Sequence, residues 1–198
     1  MTGSARLNFY RHGGDSLQGR YHLLRLHPLS VNALREDLQV AHKTVANWLR
    51  ILERLYAIFR LAPFGAPRLR AVKKEQKHYQ FDWTLVPDPA ARFENLVASH
   101  LLKWVHFEQD AKGRDLELRY FRDRDGREVD FVVTEKGAPF WFVEAKSADA
   151  DVSSSLRSLK VRFPKAEAWQ VSAAGTKDYV SPEGIRVAPA TLFLSTLV

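Results

Sequence analysis

The chain alternates between two kinds of hydrophobic spacing, which predict short helices and strands. Apolar residues of His42–Leu55 recur three and four positions apart, as in an amphipathic helix, and the predicted buried face is Val45, Trp48, Leu49, Leu52 and Leu55. A shorter helix that Ser30 can cap precedes it, and two helices joined by a tight turn form the helix-turn-helix plan. Strands at Ile58–Ala62 and Lys77–Phe81 around a basic loop would add a wing. Residues 29–86 are therefore predicted to form a winged helix-turn-helix; the alternative is a helical hairpin that only holds domains together.

A different series of elements follows Pro87-Asp88-Pro89, which predicts a domain boundary. Residues 90–104 have the broad apolar face of an amphipathic helix, and Glu94 flanks that face. The elements predicted after this helix are a strand at Leu116–Arg122, a hairpin turn at 123–126, strands at Glu128–Thr134 and Pro139–Ala145 joined by a Gly-Ala-Pro turn, a helix at Ser153–Phe163, and strands at Ala166–Val171 and Gly184–Val187. The order helix, three strands, helix, strand predicts an α/β (α+β) domain over residues 87–198.

Two neighbouring strands of this domain carry charged residues among apolar ones. Strict alternation puts Val129, Phe131 and Val133 on one face of the first strand, with Asp130 on the other, and gives Glu144 and Lys146 one shared face of the second. A carboxylate on a half-buried strand costs free energy unless it is paired or bound to a metal. Lys146 can pair with only one acid, and carboxylate oxygens suit Mg²⁺ or Mn²⁺. The pattern therefore predicts a metal site in which Lys146 stabilises an attacking water or a phosphoryl charge; the alternative is a surface salt-bridge cluster.

Composition limits the remaining choices. None of the 198 residues is cysteine, which excludes disulfides and thiolate metal sites and fits a cytoplasmic protein. No apolar run reaches the ~18–20 residues of a membrane span, and the N-terminus has no apolar signal core. Residues 1–80 hold 14 Lys and Arg against five Asp and Glu, a net charge of +9, whereas residues 81–198 hold 16 against 18. The N-terminal part is therefore the predicted contact for a polyanion such as DNA.

The candidate DNA contacts lie at the start of the second helix and in the wing. They are His42, Lys43, Thr44 and Asn47 in the helix, and Arg68, Arg70, Lys73 and Lys74 in the wing loop. The alternative partner is another protein or a second copy of the chain, because winged helices also bind proteins.

The acidic strands resemble the PD-(D/E)XK nuclease superfamily. Asp130 is followed on the next strand by Glu144-Ala145-Lys146, and the helix, three strands, helix, strand order is similar to that of the superfamily's core. The resemblance implies that Asp130, Glu144 and the Ala145 carbonyl hold Mg²⁺ or Mn²⁺. It also implies that Lys146 assists the water and that Glu94 binds a second ion or orients the first. A nuclease-like fold that binds but does not cut is the third alternative.

A wider resemblance covers nearly all of the chain. The blocks "GGDSLQGRYHLLRLHPLS", "KTVANWLRILERLYAIFRLAPF", "RFENLVASHLLKW" and "LRYFRDRDGREVDFVV" are similar to the C-terminal region of prokaryotic AAA-type ATP-binding proteins. The resemblance implies an ATPase-domain remnant at residues 1–28, then a winged helix, then a nuclease-like domain of unknown function. Because the sequence has no G-x-x-x-x-G-K-[ST] loop, we expect no ATPase activity from this chain and a truncated relative of that family.

Overall fold

A computed structural model of the protein describes residues 41–65, 76–123 and 125–197, and the side chain of His42 is not described. Its helices are α1 (His42–Arg54), α2 (Pro89–Lys112), α3 (Ser154–Arg162) and α4 (Ala190–Ser195), with a short 3-10 helix at Trp83–Leu85. Its strands are β1 (Ile58–Pro63), β2 (Lys77–Gln80), β3 (Leu116–Arg122), β4 (Glu128–Glu135), β5 (Ala138–Lys146), β6 (Glu167–Ser172), β7 (Tyr179–Val180) and β8 (Ile185–Pro189). The predicted mixed α/β class is confirmed.

All of these strands belong to one sheet in the order β2-β1-β3-β4-β5-β6-β8-β7. Strands β3, β4 and β5 pair antiparallel, and β6 runs parallel to β5. Strand β1 pairs antiparallel with β2 and parallel with β3, through Ala62 opposite Arg119. Strands from both sides of the predicted boundary at residue 87 therefore share one sheet, and β2 is the outermost of the described strands on its side. The predicted elements in residues 1–40 and the wing loop at 66–75 lie outside the described residues.

Local capping signals explain the position of the long helix α2. The Asp88 side chain accepts the N–H of Ala91, and Pro89 begins the helix, where its missing N–H costs nothing. Gly113 ends it with a left-handed backbone (φ 65°). The helix is thus longer than the predicted 90–104, and it crosses the sheet with Val97, Ala98 and Leu101 fully buried.

The sheet has a hydrophobic cluster on each face. The larger cluster packs against α2 and includes Tyr79, Phe131, Val133 and Val143. The smaller one packs against α3 and is formed by Val129, Val132, Phe142, Val152, Leu156, Leu159, Ala166, Ala168, Ile185 and Val187. We refer to these two faces as the α2 side and the α3 side. None of the helices in the described ranges is both long and apolar enough to cross a lipid bilayer.

A β-bulge in β4 overturns the predicted alternation of that strand. Phe121 pairs with Val129, and Arg119 pairs with Val132. Two residues of β4, Asp130 and Phe131, therefore lie opposite one residue of β3, Tyr120. Val129 consequently packs on the α3 side, whereas alternation had placed it with Phe131. The extra residue turns Asp130 away from its predicted direction.

Two further expectations were wrong. The turn between β4 and β5 is Lys136-Gly137, both with positive φ (49° and 79°), and Pro139 already pairs with Thr134 within the sheet. This is the backbone of a two-residue hairpin turn, which needs no proline. In α1, Val45 and Leu49 are buried as predicted, but Trp48 is 40% exposed and Leu55 is 70% exposed.

Candidate functional site

The bulge delivers the Asp130 carboxylate to the end of the β4–β5 ladder. Backbone pairing between these strands ends at Phe131 opposite Val143. Beyond that point the Asp130 Oδ2 atom accepts the N–H of Ala145 at 2.9 Å. The Ala145 N–H is therefore bonded to a side-chain carboxylate of β4 and not to a backbone carbonyl of that strand. Asp130 therefore lies beside the Glu144-Ala145-Lys146 segment, and it reaches this position through the bulge and not through the regular alternation that the sequence predicted.

An ammonium group stands among three carboxylates on the α2 side. Lys77 Nζ lies 2.5 Å from Glu128 Oε1, 3.2 Å from Glu94 Oε1 and 3.5 Å from Asp130 Oδ1. The Lys77 side chain is 14% exposed, and Tyr79, two residues along β2, donates its hydroxyl to Glu94 Oε1 at 2.6 Å. The four charged groups come from β2, α2 and β4, and we call them the Lys77 cluster.

The ionisation of the cluster follows from its burial and charges. Burial lowers the pKa of Lys77, but the charges of Glu94, Asp130 and Glu128 outweigh this effect and raise the pKa above the usual value. Burial, together with the charges of Glu94 and Glu144, raises the pKa of Asp130 to about 7 although Lys77 acts in the opposite direction. Burial and the charge of Glu94 also raise the pKa of Tyr79, which stays a neutral donor. Asp130 is thus the acid of this site whose pKa both burial and the neighbouring negative charges raise.

The remaining predicted residues form a pair on the α3 side. Lys146 Nζ donates to Glu144 Oε1 at 2.8 Å. Val143 and Ala145 belong to the α2 side, so strand alternation directs Glu144 and Lys146 to the other face. Glu144 is buried, with 6% of its surface exposed, and its Oε2 atom has no hydrogen-bond partner among the described residues. A buried carboxylate oxygen is costly unless a donor or a cation reaches it.

A buried glutamine supports this pair from the neighbouring strand. Gln170 lies opposite Glu144 in the parallel β5–β6 register. Its side chain accepts the N–H of Ser153 at 2.9 Å and donates to the carbonyls of Ala150 and Asp151, both at 3.1 Å. Gln170 therefore fixes the entry to α3 beside the site.

The donor atoms of the site fit a divalent cation in kind, because they are carboxylate oxygens and one of them is unpaired. Within residues 41–65, 76–123 and 125–197, however, no three His, Asp or Glu side chains are grouped so that they could hold a metal ion together. The Lys77 ammonium stands where positive charge is needed between Glu94 and Asp130. The Ala145 N–H bonds to Asp130, and the predicted role of the Ala145 carbonyl as a ligand stays a prediction.

Sequence reasoning missed Lys77 and Glu128 as members of the site. Lys77 and Asp130 are 53 residues apart, so no local spacing connects them. One local signal was available: Lys77 and Tyr79 alternate on a strand, which predicts that they share a face.

The structure describes the side chains of three of the predicted DNA-contact residues, all on α1. Lys43 and Asn47 are exposed and Thr44 is half-buried. Arg50 and Arg54 are also exposed and follow at helical spacing, so they extend the same face although the prediction omitted them. We call Lys43, Asn47, Arg50 and Arg54 the α1 stripe. The His42 side chain and the wing residues Arg68, Arg70, Lys73 and Lys74 lie outside what the structure describes.

Comparison with known families divides the chain near residue 90. A family model described as a domain of unknown function (DUF4143) matches residues 90–193, and a second, described as a domain of unknown function (DUF8612), matches residues 17–91. No curated protein and no solved structure matches the chain significantly. Lys77 and Tyr79 lie in the second region, whereas Glu94, Asp130 and Glu144 lie in the first. The candidate site therefore draws side chains from both.

Proposed function

The chain belongs to the family defined by the domain of unknown function DUF4143, and we propose that it is a DNA-associated protein. In this proposal it hydrolyses phosphodiesters with a divalent metal at the acidic site within the matched residues. The observation that carries the proposal is the meeting of acids from separate elements at the end of the β4–β5 ladder. Glu94, Glu128 and Asp130 lie around Lys77 Nζ, and burial together with the charges of Glu94 and Glu144 raises the pKa of Asp130 to about 7.

The order of elements supports a nuclease-like fold. Elements α2, β3, β4, β5, α3 and β6 follow the helix, three strands, helix, strand order of the PD-(D/E)XK core that the sequence resembles. Three antiparallel strands followed by a strand parallel to the third, with a helix on each face, agree with this assignment. Helix α1 and the antiparallel pair β1–β2 agree with a winged helix before that core.

Each residue has a role that its contacts support. Asp130 and Glu144 would hold the metal at the end of the β4–β5 ladder, which Glu144 would have to reach from the α3 side, and Glu94 lies on the Asp130 side. A bound Mg²⁺ or Mn²⁺ would activate a water and offset charge on the phosphodiester. Lys146 is oriented by its hydrogen bond to Glu144 and is 34% exposed, so its ammonium can contact a substrate phosphate.

Nucleic-acid binding is assigned to the α1 stripe. Three positive charges and an amide on one exposed helix face fit contacts to phosphates, which carry most of the affinity for DNA. The net charge of residues 1–80 is also positive, which favours contact with DNA phosphates. ATP hydrolysis forms no part of the proposal.

A cleavage assay tests the proposal. Supercoiled plasmid and a labelled duplex are incubated with the full chain in Mn²⁺, Mg²⁺ or EDTA. We expect cutting that requires the metal and falls at least about a hundred-fold in Glu144→Gln and Lys146→Met, because each removes a group that acts on the reacting atoms. Lys103→Met, which changes an exposed lysine of α2, should cut like the parent. Equal cutting by all four proteins, or none by the parent, would refute hydrolysis at this site.

A second candidate function is non-catalytic DNA binding, favoured by the position of Lys77. A lysine that neutralises Glu94, Glu128 and Asp130 permanently would leave a nuclease-like fold without a metal. This candidate predicts salt-dependent DNA binding that weakens in Lys43→Ala and is the same in Mn²⁺ and EDTA. Metal-dependent cutting by the parent, lost in Glu144→Gln, would exclude it.

A further inference from the structure

An exposed aromatic residue occupies an unusual position at the end of α1. Tyr56 follows the helix with a positive φ of 53°, and its N–H and that of Ala57 bond to the carbonyls of Glu53 and Leu52. Glycine is the usual residue there, because a side chain disfavours the left-handed backbone. The Tyr56 side chain is nevertheless 76% exposed, so it gains little from the core to offset this cost. A strained backbone that carries an exposed ring is more typical of a ligand contact than of a packing residue.

Tyr56 belongs to a small aromatic surface beside strands β1 and β2. Its ring meets that of Phe81 edge-on, with 5.8 Å between the ring centroids, and Phe81 meets the buried Phe59 in the same way at 5.1 Å. Leu85 of the 3-10 helix is also exposed, and Tyr56, Phe81 and Leu85 line an open cavity of about 430 Å³. We call these three residues the Tyr56 platform. An edge-on contact leaves more ring face uncovered than a parallel stack does, so the platform can receive a flat aromatic group.

Positive charge leads to the platform along α1. Arg54, the last residue of the helix, precedes Tyr56 by two positions and is exposed. The α1 stripe continues from Arg54 back to Lys43, which is about 16 Å along the helix. Successive phosphates of a single nucleic-acid strand can therefore lie along the stripe while the strand ends at the platform.

The acids near the platform separate the place of a base from that of a phosphate. Glu53 is neutralised by its ion pair with Arg60. Asp82 lines the cavity and caps the 3-10 helix through the N–H of Thr84. Its negative charge disfavours a phosphate inside the cavity, whereas its carboxylate can accept a hydrogen bond from an amino group of a base. A base therefore fits the cavity, and its phosphates fit the α1 stripe.

We propose that the Tyr56 platform stacks an unpaired base of single-stranded DNA whose phosphates lie along the α1 stripe. Within a duplex both faces of a base are already covered by its neighbours, so the platform selects unpaired nucleotides. A positively charged surface that follows the backbone, combined with aromatic side chains that stack on bases, is the common mode of single-strand recognition. The inference rests on the proposed function, because it names the form of DNA that the chain binds.

Fluorescence anisotropy in EDTA tests the proposal without cleavage. Labelled oligothymidylate and a labelled blunt duplex are titrated with the parent, Tyr56→Gly, Tyr56→Phe and Tyr179→Ser. Tyr56→Gly should bind oligothymidylate about ten-fold more weakly because stacking on the ring is lost, whereas its duplex affinity should stay within about two-fold. Tyr56→Phe keeps the ring and Tyr179→Ser removes an exposed tyrosine of β7, so both should bind like the parent. Unchanged oligothymidylate affinity in Tyr56→Gly, or an equal loss on both DNAs, would overturn the proposal.

A second variant and a second probe keep the test independent of folding. Glycine suits the left-handed backbone of residue 56, so we expect Tyr56→Gly to fold, and Tyr56→Asn also tolerates a positive φ without a ring. Tyr56→Asn should lose the same affinity for oligothymidylate. An oligomer of abasic sugar phosphates keeps the charges without the bases, and the parent should bind it as weakly as Tyr56→Gly binds oligothymidylate. Abasic binding as tight as that of oligothymidylate would overturn the proposal.

Sedimentation tests a different occupant of the platform. If the parent forms a dimer that Tyr56→Gly dissociates, and oligothymidylate affinity is unchanged, the platform binds a second copy of the chain and the proposal is overturned.

The two proposals fail in different ways. Binding of oligothymidylate that needs the Tyr56 ring, by a protein that cuts no DNA, would support the platform and refute hydrolysis. Metal-dependent cutting by the parent, with no effect of Tyr56→Gly on oligothymidylate binding, would support hydrolysis and refute the platform.

Discussion

Replacing Asp130 with Asn should make the protein less sensitive to rising pH. The asparagine is almost isosteric with aspartate, and its side-chain oxygen can still accept the N–H of Ala145, which Asp130 Oδ2 accepts at 2.9 Å. It cannot ionise. The substitution therefore removes the charge of Asp130 while it keeps the hydrogen bond that holds the end of the β4–β5 ladder.

The size of the effect follows from the pKa of Asp130, which burial and the charges of Glu94 and Glu144 raise from 3.8 to about 7. One unit of pKa corresponds to about 1.4 kcal/mol. Between the two values the folded protein keeps a proton that the unfolded chain has released, so stability falls as pH rises. Asp130 should therefore lower the free energy of unfolding by about 4 kcal/mol between pH 4 and pH 8.

Urea unfolding in EDTA, followed by circular dichroism at pH 4, 5, 6, 7 and 8, measures this loss. The parent should lose stability across the range, and Asp130→Asn should lose less and be the more stable protein at pH 8. Asp110→Asn, which changes an exposed carboxylate of α2, should follow the parent. The same pH slope in the parent and in Asp130→Asn would refute the assignment of a raised pKa to Asp130.

Three further substitutions test other parts of the structure. Gly175→Ala would place a Cβ 2.1 Å from Ser172 Oγ, and we expect a loss of about 1–3 kcal/mol in urea unfolding. Gln170→Leu should cost about 2–4 kcal/mol, because it leaves the Ser153 N–H and two carbonyls without their buried partner, and exchange of the Ser153 amide should speed up. Arg50→Ala should weaken duplex binding and reduce the slope of log affinity against log salt by about one, which titrations at several salt concentrations would detect.

The sequence predicted those elements whose signals are local. Strand β3 covers Leu116–Arg122 as predicted, because an alternating pattern and a Gly-containing turn bound it. The end of α2 was placed too early because the apolar pattern weakens after Trp104, whereas Gly113 sets the actual end. The small elements β7 and α4 were missed; β7 has two residues and α4 has six.

The sequence pattern drew attention to Asp130 and Glu144 but not to the arrangement of the acids or to Lys77 and Glu128. The pattern around Asp130 and Glu144 identified two acids that influence each other. It could not show the bulge, because one extra residue in β4 has no local signature when both neighbours are β-branched or aromatic. Nor could it show Lys77, whose contact with Asp130 spans 53 residues and depends on β1 joining β3 in one sheet.

The central claim is that Asp130 and Glu144 bind a divalent metal that takes part in phosphodiester hydrolysis. The most direct measurement is anomalous diffraction at the manganese edge from crystals of the parent soaked in MnCl₂. We predict a manganese peak in contact with Asp130 and Glu144. The absence of a peak beside either residue at saturating Mn²⁺ would contradict the claim.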